Sequence, residues 1–301
     1  MPRCRHATLA LTLLTLVPSP LRGQTGLELG GVPALNFDAD EGFGYGVVVE
    51  LYEYGDGALG PYLWTLQPTV FLTTEGRKDF TLFFDAPHLL GAWRLDAFVG
   101  SEARFATPYY GLGNSSVFDE ARVTDADPYY YRFGRTRRSA TVDLQHGLGA
   151  GPLRMLLGGG VVHGSSVPVP DGVGTTLLEQ ELAASGAPAP EGWSNYMRAG
   201  IIYDTRDRET GPRRGTWTEL LVQRVDERLG STTSYTRITL TDRRYLSAGP
   251  LTLAHRLLVQ GVSQGVPLYD LNQIQTSFKQ QEGLGGAKSV RGVSKNRFAG
   301  R

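Results

Sequence analysis

The feature that most narrows what this chain can fold into is a period of two in its apolar residues. Phe43, Tyr45, Val47, Val49 and Leu51 alternate with Gly44, Gly46, Val48, Glu50 and Tyr52. Trp93, Leu95, Ala97 and Val99 alternate with Arg94, Asp96, Phe98 and Gly100, and Ala140, Val142 and Leu144 with Thr141, Asp143 and Gln145. Met197, Ala199, Ile201 and Tyr203 repeat the pattern against Arg198, Gly200, Ile202 and Asp204. Successive side chains on a strand point to opposite faces, so each segment has one apolar face and one polar or small face. Helical spacing surfaces only over Leu177 to Ala184, inside a polar loop. The chain reads as all-β.

Two architectures accept such alternation: a soluble sandwich and a transmembrane antiparallel β-barrel turned inside out. The polar face separates them. It carries Glu50, Arg94, Asp96, Glu102, Arg104, Asp143, Arg198, Asp204 and Arg206 interleaved with glycine. Glycine makes up 39 of the 301 residues, nearly double the ~7% of an average protein. Mixed charges alternating with glycine suit a crowded interior where opposite charges pair across strands. Aromatics near segment ends (Phe43, Trp64, Trp93, Trp217) are expected on the apolar face, at headgroup level. The barrel is favoured.

The N-terminus points to export. Arg3 and Arg5 precede an uncharged run from Ala7 to Val17, then Pro18, Pro20 and small residues to Gly23. That is the layout of a secretory signal peptide over 1–23, too short to span a bilayer as a helix. The mature domain is then 24–301. Thirty basic and thirty acidic side chains cancel, which argues against a nucleic-acid partner. A lone Cys4 excludes a disulfide framework or a cysteine metal cluster.

No enzyme emerges from the motifs. Gly283 to Ser289 misses the phosphate-loop spacing because Ala287 precedes Lys288, and His163-Gly164-Ser165 lacks the G-x-S-x-G elbow. His6, His88, His146, His163 and His255 are scattered, so no metal or cofactor is expected.

Eleven strands are expected: 32–38, 42–54, 62–74, 79–85, 93–105, 130–148, 153–167, 193–206, 216–226, 235–246 and 251–264. Connections near Gly57, Pro87, Gly151, Pro212 and Gly249 are compact, as tight turns require; those at 106–128, 168–192 and 265–295 are long. Compact turns in the periplasm put the long loops outside the cell. Single-chain bacterial barrels normally have an even strand number, and open edges are costly in hydrocarbon. The reading is therefore the first eleven strands of a longer barrel, C-terminally incomplete.

Two stretches carry a family resemblance. One is Gly200-Ile-Ile-Tyr-Asp-Thr-Arg-Asp207 followed by Gly211-Pro212-Arg-Arg-Gly215-Thr216. The other is Gly283-Leu-Gly-Gly-Ala-Lys-Ser-Val-Arg-Gly-Val293, then Asn296-Arg297-Phe298. Together they resemble the BamA/TamA outer-membrane insertase superfamily, also described as bacterial surface antigen barrels. The opening segments, such as Gly42-Phe-Gly-Tyr-Gly46, look like members that lack periplasmic POTRA domains.

The resemblance implies a sixteen-stranded barrel whose long loop folds back into the lumen. The latch would be Val290, Arg291 and Gly292, with Arg291 pairing with carboxylates on later strands. Val293 stands where the family usually has an aromatic. Asp204, Arg206 and Asp207 would organise a periplasmic turn, or simply hold the barrel's shape, and Arg94, Asp96, Glu102, Arg104 and Arg198 are expected as lumen charges. The implied function is insertion, assembly or translocation of outer-membrane components by a monomeric barrel. Its partners would be outer-membrane lipids and a periplasmic lipoprotein or nascent outer-membrane proteins. A passive or substrate-selective channel, and a structural surface barrel, are the competing readings.

Overall fold

The computed structural model describes residues 24–38, 41–113, 116–169, 174–187, 189–277, 281–283, 285, 292–293 and 295–297. The expected signal peptide, 1–23, lies outside them. Seven strands come first: β1 (Leu27–Asp38), β2 (Gly42–Glu53), β3 (Trp64–Thr73), β4 (Lys78–Leu90), β5 (Trp93–Pro108), β6 (Arg132–Gly147) and β7 (Leu153–Val167). Then follow β8 (Glu191–Trp193), β9 (Tyr196–Asp204), β10 (Gly215–Val225), β11 (Tyr235–Ala248) and β12 (Leu251–Val262). All but β8 form one antiparallel path in chain order, and β8 pairs with the end of β7. Among the described residues β1 and β12 do not pair, so the sheet is open.

Each strand meets the next through a short turn or a surface loop, the local connectivity that antiparallel pairing favours. One end of the sheet carries the turns 54–63, 91–92, 148–152, 205–214 and 249–250. The other carries the longer segments 109–131, 168–190 and 226–234, together with the chain after β12.

The expected eighth strand, 193–206, is in fact two pieces, β8 and β9. Asn195 interrupts it: its side-chain carbonyl accepts from the Val162 amide at 3.3 Å, and its own amide donates to Ser231 Oγ at 2.8 Å. A side chain thus takes a ladder position and breaks the pairing.

The sheet is apolar outside and charged inside. Outward positions Val99, Val142, Leu157, Val161, Met197, Ile201, Leu220, Val222, Ile238 and Leu240 are all exposed. Among the described residues, inward positions hold six buried arginines (Arg94, Arg104, Arg135, Arg137, Arg198, Arg237), and six acids are buried: Asp79, Asp85, Asp96, Asp143, Glu219 and Asp270. A soluble protein has the reverse distribution. Strands of 9 to 16 residues are long enough to cross a hydrocarbon layer, which takes about 9–11 tilted residues.

Phe43, Trp64 and Trp93 lie on the outward face as expected, Phe43 and Trp93 well exposed. Trp217 does not. It shares the parity of Glu219, Leu221 and Gln223 and is buried on the inner face with Leu156, Ile202 and Leu221. The guanidinium of Arg243 covers its ring at 4.6 Å and that of Arg206 at 5.8 Å, so the indole is a cation platform rather than a headgroup anchor.

Glycine on the inner face makes room for those large side chains. On β7, a Cβ at Gly158 would overlap Asp143 Oδ1 at 1.8 Å, and one at Gly164 would meet the Tyr269 ring at 2.4 Å. On β2, a Cβ at Gly46 would sit 2.1 Å from the Val70 carbonyl oxygen. That obstacle is backbone and cannot rotate away. Gly46→Val should therefore cost about 1–3 kcal/mol of folding free energy through overpacking, whereas Val47→Ala on the exposed side should cost less. Urea titration of both variants in detergent micelles checks the ranking.

Candidate functional site

The interior holds three charged clusters stacked along the strands. At the turn end, Arg94 on β5 is held by two carboxylates from different elements. Its Nε and Nη2 donate to Asp85 on β4 at 2.9 and 2.7 Å, and Nη1 donates to both oxygens of Glu209 at 3.0 and 2.8 Å. Glu209 belongs to the turn 205–214, so that turn is tied inward across the strands. Tyr62 donates to Asp85 at 2.6 Å and Gln145 to Asp96 at 3.1 Å. Bidentate guanidinium–carboxylate contacts of this kind fix geometry as well as charge.

The same turn contains Asp204, Arg206 and Asp207. Arg206 donates through Nε and Nη2 to Asp204 at 2.9 and 2.8 Å, and its backbone amide also donates to Asp204. Asp207 plays a different part: it accepts the backbone amides of Arg213 and Arg214 at 3.0 and 3.3 Å. Those amides, Arg213 first, hold its carboxyl below the usual range.

In the middle, Arg198 on β9 pairs with Asp143 on β6 in a fork of two contacts. The third donor, Nη1, reaches the Thr276 carbonyl at 3.2 Å. Thr276 belongs to the chain after β12, which turns back into the sheet's concavity through α2 (Leu268–Leu271) and β13 (Gln273–Ile274); β13 pairs with β14 (Gln281–Glu282). Asp270 anchors that insertion. Its Oδ2 accepts from Tyr235 at 2.5 Å and from Arg237 at 3.2 Å, its carbonyl accepts from Arg237 at 2.6 Å, and Arg137 lies 3.8 Å from Oδ1. Ser277 donates its amide to Glu219 at 2.9 Å, and Gln260 on β12 exchanges bonds with Gln273 and Gln275. The loop therefore touches β6, β7, β9, β10, β11 and β12.

At the loop end, Glu41 bridges two arginines, Arg77 at 2.6 Å and Arg104 at 2.8 Å; Asp79 accepts from Arg77, and Glu102 stands 3.9 Å from Arg104 and Arg137. Burial alone would raise the Glu41 carboxyl, but Arg104 and Arg77 outweigh it and hold it below the usual range. Above this cluster, α1 (Leu177–Ser185) begins with a capping box between Thr176 and Glu179 and buries Leu178 against Tyr109 and Phe133. Tyr109 donates to Glu181 at 2.5 Å and Tyr130 to Gln180 at 3.0 Å, which ties the helix down.

Of the expected lumen charges, Arg94, Asp96, Arg104 and Arg198 are buried inward, and Glu102 is half-buried in the same interior. Of the expected latch, Val290 and Arg291 lie outside the described residues, and Gly292 has a left-handed φ of 84°. Nearby Arg297 stacks over Tyr110 at 5.3 Å. Asp143, expected on the charged face, joins the lumen charges; the expected site omitted Asp85, Arg137, Glu219 and Arg237, although their strand parity marks them as inward. Asp270 and Glu209 carried no such signal, because both lie in connections.

Among the described residues no group of three or more His, Cys, Asp or Glu side chains is placed to hold a metal. The arrangement is an ion-pair lattice closed by an inserted loop.

No family model and no curated protein matches this sequence. Among solved structures the chain is similar to the crystal structure of BamA from Haemophilus ducreyi lacking POTRA domains 1-3. The TM-score is 0.53 and the identity 15%, over 90% of this chain and 46% of that one. The chain thus spans about half the length of that structure, and the likeness is one of fold: a β-barrel architecture.

Two outcomes test this interior. Asp143→Ala leaves Arg198 buried without its carboxylate and should destabilise the fold by about 3–5 kcal/mol, while replacing both by apolar residues should recover most of that loss; urea titrations of single and double variants decide it. Glu41, its carboxyl depressed in the folded state, stabilises the fold above the ordinary carboxylate pKa of about 4.3, and that contribution disappears as pH falls through the folded value. Glu41→Gln should lower stability at neutral pH and flatten this part of the acid limb, as read from unfolding midpoints between neutrality and acid.

Proposed function

We propose that this chain is an integral outer-membrane β-barrel of a monomeric protein that assists insertion, assembly or translocation of outer-membrane components and carries out no catalysis. The observation that carries the membrane placement is the inversion of the sheet. Among the described residues, outward Val, Leu, Ile and Met side chains stand exposed while six arginines and six carboxylates are buried inside. Water would drive that arrangement to turn over; hydrocarbon outside holds it. Export by the N-terminal segment and residence in a bacterial outer membrane belong to the same reading.

Two features support assisted assembly over an open channel. First, the interior is filled: Asp270, Thr276 and Ser277 fasten the inserted loop to Arg237, Arg198 and Glu219. Second, β1 contains Gly30, Gly31 and Pro33, which weaken a strand's ladder, and its Leu29, Leu35 and Phe37 are at least 70% exposed. An extended client strand could add there through main-chain hydrogen bonds, while a weak seam perturbs the nearby bilayer. Nascent outer-membrane proteins and a periplasmic lipoprotein are the partners of this reading. The channel reading rests on the charged interior, which a passing ion would find if the inserted loop moved aside.

Two experiments follow. Leu157→Lys places a cation on the outward face of β7 and should cost about 2–4 kcal/mol at mid-bilayer depth, measured by folding into phosphatidylcholine vesicles; no penalty would count against the membrane placement. For function, conductance across planar bilayers should be low for the unmodified chain and rise in Asp270→Ala, whose loop loses its anchor. A stable open pore in the unmodified chain, together with normal outer-membrane protein levels on depletion, would replace the assembly reading by the channel.

A further inference from the structure

A groove of about 390 Å³ opens on the outward face across β5, β6, β7 and β9. Its floor is made of small side chains, Ala97, Ala140 and Gly159, and its walls of Val142, Val161 and Met197. The register explains the depression. Ala97, Val142, Gly159 and Met197 form one row across four strands, and Val99, Ala140 and Val161 form the next. A small residue faces outward on three neighbouring strands, where most of this face carries Val, Leu or Ile.

One row further toward the loop end, the outward residues are Ser101, Arg138, His163 and Trp193. His163 and Trp193 make an edge-to-face pair at 4.9 Å, and Trp193 is well exposed. Aromatic rings of this kind mark headgroup level. Arg138 is exposed beside them. Two other outward arginines hold their own acids: Arg224 donates to Asp226 at 3.1 Å and Arg244 to Asp242 at 2.9 Å. Among the described residues no carboxylate forms an ion pair with Arg138; Glu191 lies 3.9 Å from the neighbouring His163.

We infer that this surface is a binding site for one anionic, phosphate-bearing membrane lipid, its acyl chain in the groove and its phosphate on Arg138. The inference rests on the membrane reading above and names one partner within it. The charge order fits a lipid: a cation at headgroup level with an apolar trough beginning one residue row below. A guanidinium makes a paired contact with phosphate oxygens, and in a partly dry interface that contact outweighs its value in water.

The test reconstitutes the full chain in phosphatidylcholine vesicles containing a minor fraction of phosphatidylglycerol, with either lipid carrying a photoreactive acyl chain. Flotation comes first: a chain that does not float with the vesicles overturns the membrane reading and this site with it. Given flotation, photoreactive phosphatidylglycerol should label peptides covering 97–99, 138–142 and 159–161 about fivefold more than the phosphatidylcholine probe does. Arg138→Gln should erase that preference, Arg224→Gln should leave it, and Ala140→Leu should reduce labelling by both lipids at the groove. Equal labelling by the two lipids, labelling spread evenly over the outward face, or a preference that survives Arg138→Gln would overturn the site and leave the membrane reading standing.

Discussion

The pairing of buried arginines with buried carboxylates is the interaction on which the rest of this structure depends. A sheet that turns its apolar side outward must place its polar side chains inside, where an unpaired charge is expensive. Among the described residues most of these charges meet a partner. Arg94 sits between Asp85 and Glu209, Arg198 on Asp143, and Arg237 on Asp270. Each pair joins different strands or joins a strand to a connection, so the same contacts that neutralise charge also fix the curvature of the sheet.

Space is the second half of that arrangement. A guanidinium lying across the interior needs a neighbour without a side chain, and β7 supplies Gly158 and Gly160 beside Asp143, Thr141 and Tyr196. The loop after β12 uses the same device, laying Tyr269 over Gly164. Glycine enrichment and charge alternation are thus two faces of one packing problem. Charges are tied across this interior, and the loop after β12 is fastened within it. The outer surface, by contrast, carries exposed apolar side chains.

Much of the fold was legible in the amino-acid order. The parity of Arg94, Asp96, Arg104 and Arg198 against Trp93, Val99 and Met197 assigns the inner and outer faces directly, because strand geometry leaves a side chain only two directions. Most strand ends fall within about three residues of expectation, and 153–167 coincides with β7, but β1 begins at Leu27 rather than 32 and β4 runs to Leu90 rather than 85. Trp217 shows how the reading went astray. Placing it by residue type, as an interfacial aromatic, overrode its parity, and the parity was right. The break at Asn195 was hidden for another reason: a side-chain amide can stand in for a ladder partner without altering the hydrophobic pattern.

What the amino-acid order determined alone is the β class, the inverted distribution of apolar and charged residues, and the rhythm of compact and long connections. All three follow from local rules of strand geometry and turn chemistry. Tertiary structure decided which charges meet. Asp270 and Glu209 lie in connections with no period to read, and they become anchors only because the chain returns to the concave side of a sheet whose arginines already await an acid. It also decided that Ala97, Ala140 and Gly159 form a groove, since their adjacency arises from the register of three paired strands.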